Sequence, residues 1–354
     1  MQILNETLSV PSNIHESAIQ VYDLLSARLP LDESYFDKDK SEYRITIQHT
    51  FKISDITFNE ISYVIHTIIT NQVKPEEGGI LVRLATSSDS MLDKLRIKNI
   101  NTDTIELFID IAINPNIDKK IIFNTILFEK ETMIKSIAHE LKHAYDNQKQ
   151  KYGSVSQMSN YVTYTNPPNL LPVRNFYLYL YYVHDVESLV RPTEVYSKMR
   201  LNDVSKSEFI NFLKGNDTYQ MLNNILSWNL EDFKKELKEH IPEITEIFQQ
   251  INNNYQNGTD DEKVNEMLNV IYHTLTHSRV ESFKKYITTS PSESFFGFSD
   301  EKLSAYNTFV KRVNKYKDNP IEFYKQEEKN LHTIASRILR KIGKLYALAK
   351  DSMT

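Results

Sequence analysis

The spacing of hydrophobic and polar positions changes near residue 130 of this 354-residue chain. Before that point, alternating and short apolar runs predict strands over residues 43–54, 80–87, 104–114 and 119–128. Helical spacing predicts two helices in the same region, over residues 12–29 and 57–72. The first part of the chain is therefore predicted to mix helices and strands.

After that point the helical period dominates the pattern. Helices are predicted over residues 130–148, 173–183 and 186–200, with a loop over residues 151–170. The layout predicts an α+β fold that is followed by a mostly helical C-terminal region. The expected domains are an N-terminal α/β segment over residues 1–75, a second domain with a mixed sheet over residues 76–202, and an all-helical region over residues 203–354.

The absence of cysteine limits both the fold and its chemistry. No disulfide can form, so a core must hold the fold, and a reducing compartment is permitted. Any bound metal needs His, Asp or Glu ligands instead of thiolates. With 7 glycines in the chain, glycine-rich phosphate loops are excluded.

The charge pattern bears on partners and location. The net charge is -5 with both signs scattered, so no basic stripe predicts binding to nucleic acid or to a membrane surface. The longest apolar run, residues 176–183, is too short to span a bilayer. The first residues lack the basic and apolar regions of a signal peptide. The sequence therefore predicts a cytoplasmic protein, with association with a virion as the alternative location.

The stretch SIAHELKHAYDNQK, residues 136–149, carries the strongest chemical signal in the chain. His139 and His143 are four residues apart, so on a helix both lie on one face and can bind one Zn²⁺. Glu140 points about 100° away from His139, where it can reach a water without binding the metal. This pattern predicts a zinc site with Glu140 as the general base.

The two sides of this helix differ in polarity. One side carries the apolar residues Met133, Ile134, Ile137, Ala138, Leu141, Ala144 and Tyr145, and the other carries Thr132, His139, His143 and Asp146. The histidines are therefore expected to face solvent or a second wall across a cleft. Asp146 is either a carboxylate that orients a ligand imidazole or a solvated residue. An exposed helix with accidental histidines is the alternative interpretation of the motif.

His139, Glu140 and His143, preceded by the predicted strand 104–114, resemble the HExxH motif of the zincin superfamily of metallopeptidases. The extended metzincin pattern is absent, because position 146 is Asp and position 149 is Lys. The resemblance is therefore to the gluzincin-like group and to small phage and bacterial zincin-like proteins. It implies a zincin-like mixed sheet, one zinc ion, and a third ligand that is a glutamate on a later helix.

The candidate for that third ligand is Glu187, in the segment Glu187-Ser188-Leu189-Val190-Arg191. This segment is similar to the E-x-x-A-R pattern of the family, from which it departs at Val190. Glu194 is the rival, and it is favoured if Pro192 starts a second helix. His184 is either a loop histidine or a further donor to the site.

The resemblance implies a zinc-dependent endopeptidase that acts on a protein or peptide substrate. Glu140 would act as general base and then as general acid, and an extended substrate would pair with strand 104–114. The helical C-terminal half offers a surface for a protein partner. The alternative function is a structural or assembly protein of a virion or complex that keeps a zincin-like domain without essential catalysis. A secreted effector with the same zinc chemistry is a third interpretation.

Other polar and aromatic patterns are interpreted as structural. His273, His277 and Glu281 share helical spacing, but the first histidine has no neighbouring glutamate that could act as a base. We expect this triplet to lie on a solvated or bundle-packed helix face. His66 is interpreted as a packed helix residue. Core packing between helices is predicted for Phe209, Phe212, Trp228 and Phe233.

Overall fold

The structure of this chain is a computed structural model. The described residues are 2–28, 42–51, 61–70, 80–86, 104–113, 130–149, 168–251, 258–289, 304, 306–308, 310–311 and 314–351. The four strands, and parts of several helices, are described by their backbone alone. The predicted loop 151–170 lies almost entirely outside these residues, and the predicted strand 119–128 lies wholly outside them.

The chain forms two compact units that are interleaved along the sequence. The first unit comprises Met1–Tyr152, Val190–Thr218 and Ile342–Thr354. The second unit comprises Gly153–Leu189 and Tyr219–Lys341. The linear domains expected from the sequence, residues 1–75, 76–202 and 203–354, stay a prediction.

A backbone sheet of four strands belongs to the first unit. The strands are β1 Glu42–Phe51, β2 Ile61–Thr70, β3 Ile80–Thr86 and β4 Thr104–Ile113, in the order β1-β2-β4-β3. β2 runs antiparallel to β1 and parallel to β4, and β3 runs antiparallel to β4. β4 is therefore hydrogen-bonded along both of its edges.

The prediction of a helix over residues 57–72 is wrong, because this segment contains strand β2. The strand sequence ISYVIHTIIT is rich in β-branched residues, which lose side-chain freedom in a helix and favour a pleated sheet. Its long apolar run suits a strand with neighbours on both sides, and such a run can also imitate a helical period. His66 therefore lies in a strand and not in a helix.

The helices are numbered in the order in which they occur along the chain. They are α1 Gln2–Arg28, α2 Lys130–Lys149, α3 Leu171–Tyr182, α4 Asp185–Leu201, α5 Phe209–Lys214, α6 Asp217–Ser227, α7 Leu230–Glu239, α8 Ile241–Ile251, α9 Asp260–Thr289 and α10 Pro320–Gly343. A short 3₁₀ helix follows at Lys344–Leu348. In the described part of the chain, no helix combines the length and apolarity that crossing a membrane requires.

The predicted fold class, α+β with a zincin-like mixed sheet, is corrected by the residues described with their side chains. Of these, 85% are helical and none lies in a strand, so the class they define is all-α. The reason is that the described core is built by apolar faces of helices packed on one another, at the 3.6-residue period.

In the first unit, the core lies between α1 and α2. Ile14, Ala18 and Val21 form a buried stripe on α1. The predicted apolar stripe of α2 is confirmed at its described positions, because Met133, Ile134, Ile137, Ala138 and Leu141 are all buried. Packing of these two stripes fixes the helix that carries the HELKH sequence.

A segment from residue 350 onward closes the first unit against the turn after α4. The Lys206 amide donates to the Lys350 carbonyl at 2.8 Å, and the Lys350 amide donates to the Val204 carbonyl at 3.1 Å. Two ion pairs flank this short parallel bridge, Lys350 with Asp203 and Lys206 with Asp351. The pairing ties the last described residues to the end of the helix that carries Glu194.

The second unit has an aromatic core around Phe176 of α3. The ring centroid of Phe176 lies 4.9 Å from that of Trp228, 5.3 Å from Phe233 and 5.6 Å from Tyr324. Such offset and tilted aromatic pairs stabilise a core beyond their buried area. The prediction of core packing is confirmed for Phe233 here and for Phe209 in the first unit, both of which are buried.

Two buried tyrosines in this core differ in the partner of their hydroxyl group. The Tyr324 hydroxyl donates to the Leu268 carbonyl at 2.7 Å, whereas the Tyr177 hydroxyl has no hydrogen-bond partner among the residues that the structure describes. We expect Tyr177→Phe to raise the free energy of unfolding by about 1 kcal/mol, because it removes an unsatisfied polar group. Tyr324→Phe, the matched control, should lower it by about 1–2 kcal/mol. Urea unfolding of both variants tests this, and equal destabilisation by the two would contradict it.

Candidate metal centre

Helix α2 contains the whole HELKH sequence in regular helical geometry. His139 and His143 are one turn apart on this helix, and Glu140 follows His139. The side chain of His139 is described, whereas those of Glu140 and His143 lie outside the described side chains, as does that of Asp146. The orienting role considered for Asp146 therefore stays a prediction.

His139 is held by a carboxylate from a different helix. The Nδ1 atom of His139 lies 2.8 Å from Oε1 of Glu194 on α4. The exposed fraction of the side chain is 12% for His139 and 7% for Glu194. The polar side of α2 therefore faces a second wall at this position, which is one of the two outcomes expected from the sequence.

Two further groups bind the Glu194 carboxylate. Arg191 donates from Nη1 to Oε1 of Glu194 at 2.7 Å, and the Thr218 hydroxyl donates to Oε2 at 3.0 Å. Burial alone would raise the pKa of Glu194, but Arg191 and His139 outweigh it, and the pKa is lowered to about 2. Glu194 is therefore ionised at neutral pH, inside a network that satisfies both of its oxygens.

The ionised carboxylate fixes the tautomer of the neutral His139 ring. Because a carboxylate can only accept hydrogen bonds, the proton between Glu194 and His139 sits on Nδ1. The lone pair of the neutral imidazole is then on Nε2. Carboxylates that bind one ring nitrogen in this way orient histidines for metal binding through the other nitrogen.

The position of His139 and the kinds of ligand that the chain offers both fit a zinc ion. His143 lies one turn on, and a chain without cysteine offers nitrogen and carboxylate ligands. Among the described side chains, no cluster of three potential ligands is present. His143 and Glu187 are not among those side chains, so His139 is the predicted ligand whose surroundings the structure describes.

The two candidates for the third ligand lie on one continuous helix, α4. Pro192 is inside this helix, so the expectation that it might start a second helix is wrong. Glu187 lies in the first turn of α4, and its side chain is not described. The oxygen of Glu194 is 2.8 Å from His139 Nδ1, a hydrogen-bond length, whereas two ligands of a tetrahedral zinc ion lie roughly 3.3 Å apart. In the observed arrangement, Glu194 is therefore a hydrogen-bond partner of His139.

The expected substrate site on strand 104–114 needs correction. β4 pairs with β2 on one side and with β3 on the other, so it has no open edge along which a peptide could add as a further strand. α2 lies beside β3 and β4. Among the described strands, β3 pairs with β4 alone, and its outer edge is therefore the one beside α2 that could accept a peptide.

Three other histidines, His184, His273 and His277, lie where their structural interpretation expects them, whereas His66 lies in strand β2. His184 is in the turn between α3 and α4, which is the predicted loop position. His273 and His277 on α9 are exposed, in line with a solvated helix face.

Thr218 and Arg191 are the polar residues of the site that the sequence did not identify. Arg191 stands three residues before Glu194 on the same helix, so the helical period could have paired them. Thr218 is 24 residues further on than Glu194, and no local pattern connects the two.

No family model matches this chain, and neither the curated proteins nor the solved structures contain a match.

Proposed function

We propose that this protein is a zinc-dependent hydrolase, most simply an endopeptidase, with its reaction centre on helix α2. The observation that carries the proposal is the buried hydrogen bond from His139 Nδ1 to Glu194, on a helix with the H-E-x-x-H spacing. This bond leaves the lone pair of the neutral imidazole on Nε2, the atom that a zinc ion would bind.

Within this proposal the polar residues of the site have distinct roles. His139 and His143 bind one zinc ion together with a glutamate of α4, and Glu194 is a positioning residue while Glu187 is the ligand. Zinc in such a site polarises a carbonyl group and lowers the pKa of water to about 7. Glu140 takes a proton from the attacking water and delivers it to the leaving amine. Peptide or protein substrates would lie along the outer edge of β3, and the protein would act in the cytoplasm.

The metal content of purified variants tests the proposal. Wild type and Glu140→Gln should each carry about one zinc ion, His143→Ala should carry none, and Glu187→Gln should lose the metal. Glu194→Gln should keep it with roughly 10–100-fold weaker affinity, as for other changes to groups that orient a ligand. If Glu194→Gln loses the zinc and Glu187→Gln retains it, the two glutamates exchange roles. Wild type without metal under zinc-replete conditions would contradict the proposal.

A second candidate function is a structural or assembly protein of a virion or other complex. The observation that favours it is the closed network of His139, Glu194, Arg191 and Thr218, which satisfies the buried carboxylate without a metal. In that case the helical C-terminal region would bind a protein partner. Partner binding that is unchanged in the metal-free protein and in His143→Ala would favour this function over hydrolysis.

A further inference from the structure

His15 is a buried histidine at the centre of helix α1, in the first unit. Its residue exposure is 7%, and its Nδ1 atom has no hydrogen-bond partner within the described part of the chain. The imidazole ring packs edge-on against the ring of Tyr196 on α4, with 5.9 Å between the centroids and 89° between the planes. The neutral ring thus acts as an apolar contact between α1 and α4.

The charges around His15 oppose its protonation. Burial, followed by the positive charge of Arg200 on α4, lowers the pKa of His15 to about 4. On α1 itself, the Glu16 carboxylate accepts a hydrogen bond from the Ser12 hydroxyl, and the charge of Asp23 raises the pKa of the neighbouring Tyr22. No acidic group is among the causes that set the pKa of His15. Among the described residues, no carboxylate therefore compensates a positive charge at this site.

The described charges of α2, which also packs on α1, are engaged elsewhere. Lys130 lies over the ring of Tyr22 at 5.3 Å, and Glu131 pairs with Lys198 at 3.2 Å. The charge of Lys135 contributes to the lowered pKa of Glu194. A protonated His15 would therefore be a buried cation beside a second cation, and its Nδ1 atom has no acceptor among the described residues.

We propose that His15 makes the docking of α1 onto α4 and α2 sensitive to acid, so that protonation of its ring releases α1 from the helix that carries HELKH. The release uncovers the apolar side of α2, which α1 packs against in the neutral state. Acid would thereby loosen the packing of α2 on its apolar side. This inference does not depend on the presence of zinc or on hydrolysis.

The direction of the effect follows from the two states of the ring. In released α1 the ring is exposed and has its ordinary pKa of 6.5, whereas in docked α1 the pKa is about 4. Between these values the released state binds more protons, so docking weakens as the pH falls from 6.5 towards 4. The docking equilibrium should change by roughly tenfold per pH unit in this range and should stay constant above it.

Hydrogen exchange of the intact chain between pH 7.5 and 4.5, corrected for intrinsic exchange, tests the proposal. Amides of residues 12–24 in wild type should lose protection below about pH 6.5, while those of residues 264–272 in α9 should not. His15→Phe keeps a ring against Tyr196 and cannot take a proton, so it should retain protection at every pH. His15→Gln is a second variant that does not titrate, should the larger ring fail to fold.

His277→Gln removes an exposed histidine of the second unit and should behave as wild type. Protection of α1 in wild type that stays constant down to pH 4.5 would overturn the proposal. An equal loss of protection in wild type, His15→Phe and His15→Gln would also overturn it, because another group would then be responsible.

Discussion

Glu140→Gln should lower peptide hydrolysis by about 100-fold or more while the protein still binds one zinc ion. Glutamine has the size of glutamate but cannot accept a proton from water, so the general base is lost and the metal ligands remain. The measurement is kcat/KM on a peptide identified by digestion of a library with the wild-type protein, together with zinc content. A loss within the range of 10²–10⁴ corresponds to about 3–5 kcal/mol of transition-state stabilisation.

The control for this experiment is Thr132→Ala, which changes an exposed residue of the same helix and should leave the rate unchanged. Zinc content separates loss of the base from loss of the site. Full activity in Glu140→Gln with zinc bound would remove Glu140 from the mechanism. Wild type that binds zinc but cleaves no peptide would favour a structural role for the metal.

Arg191→Met should destabilise the first unit by about 3–5 kcal/mol, the second large effect that we expect. The guanidinium lies 2.7 Å from Glu194, and both side chains are 7% exposed. Removal of Arg191 leaves an ionised carboxylate buried with His139 and Thr218 as its remaining partners. Urea unfolding followed by a probe within the first unit measures the loss.

The double variant Arg191→Met/Glu194→Gln should recover part of that loss, because the buried charge is then removed as well. Lys206→Met breaks an exposed ion pair with Asp351 and should change the stability little. Additive losses in the double variant would mean that the two charges do not stabilise each other. That result would also weaken the case that Glu194 holds His139 as an ionised group.

The sequence is sufficient to predict helix α2 but not its surroundings. The amphipathic pattern predicts a helix over residues 130–148, and α2 spans Lys130–Lys149. A long helix with one apolar side is the pattern that periodicity identifies best. The segment of β2 is predicted wrongly because a run of β-branched residues fits both the helical and the strand period. The neighbouring strands decide which of the two structures forms.

The site illustrates the same limit. The motif residues are close in sequence, so their mutual geometry follows from the helix alone. The contact of His139 with Glu194 spans 55 residues, and that of Thr218 with Glu194 adds a third helix, α6. Such contacts depend on how helices pack, and one sequence contains no signal for them. The spacing of glutamates on α4 left Glu187 and Glu194 as alternatives for this reason.

The first unit consists of three segments that are separated in the sequence, and this affects when it can fold during synthesis. Its segments Met1–Tyr152 and Val190–Thr218 leave the ribosome long before Ile342–Thr354, with most of the second unit in between. The backbone bridge from Lys350 to residues 204 and 206 cannot form until that last segment has been translated. Because chains grow at about 5–20 residues per second, helix α2 must wait for many seconds beside an incomplete unit. The first unit therefore acquires its Lys350 bridge only after most of the second unit has been translated.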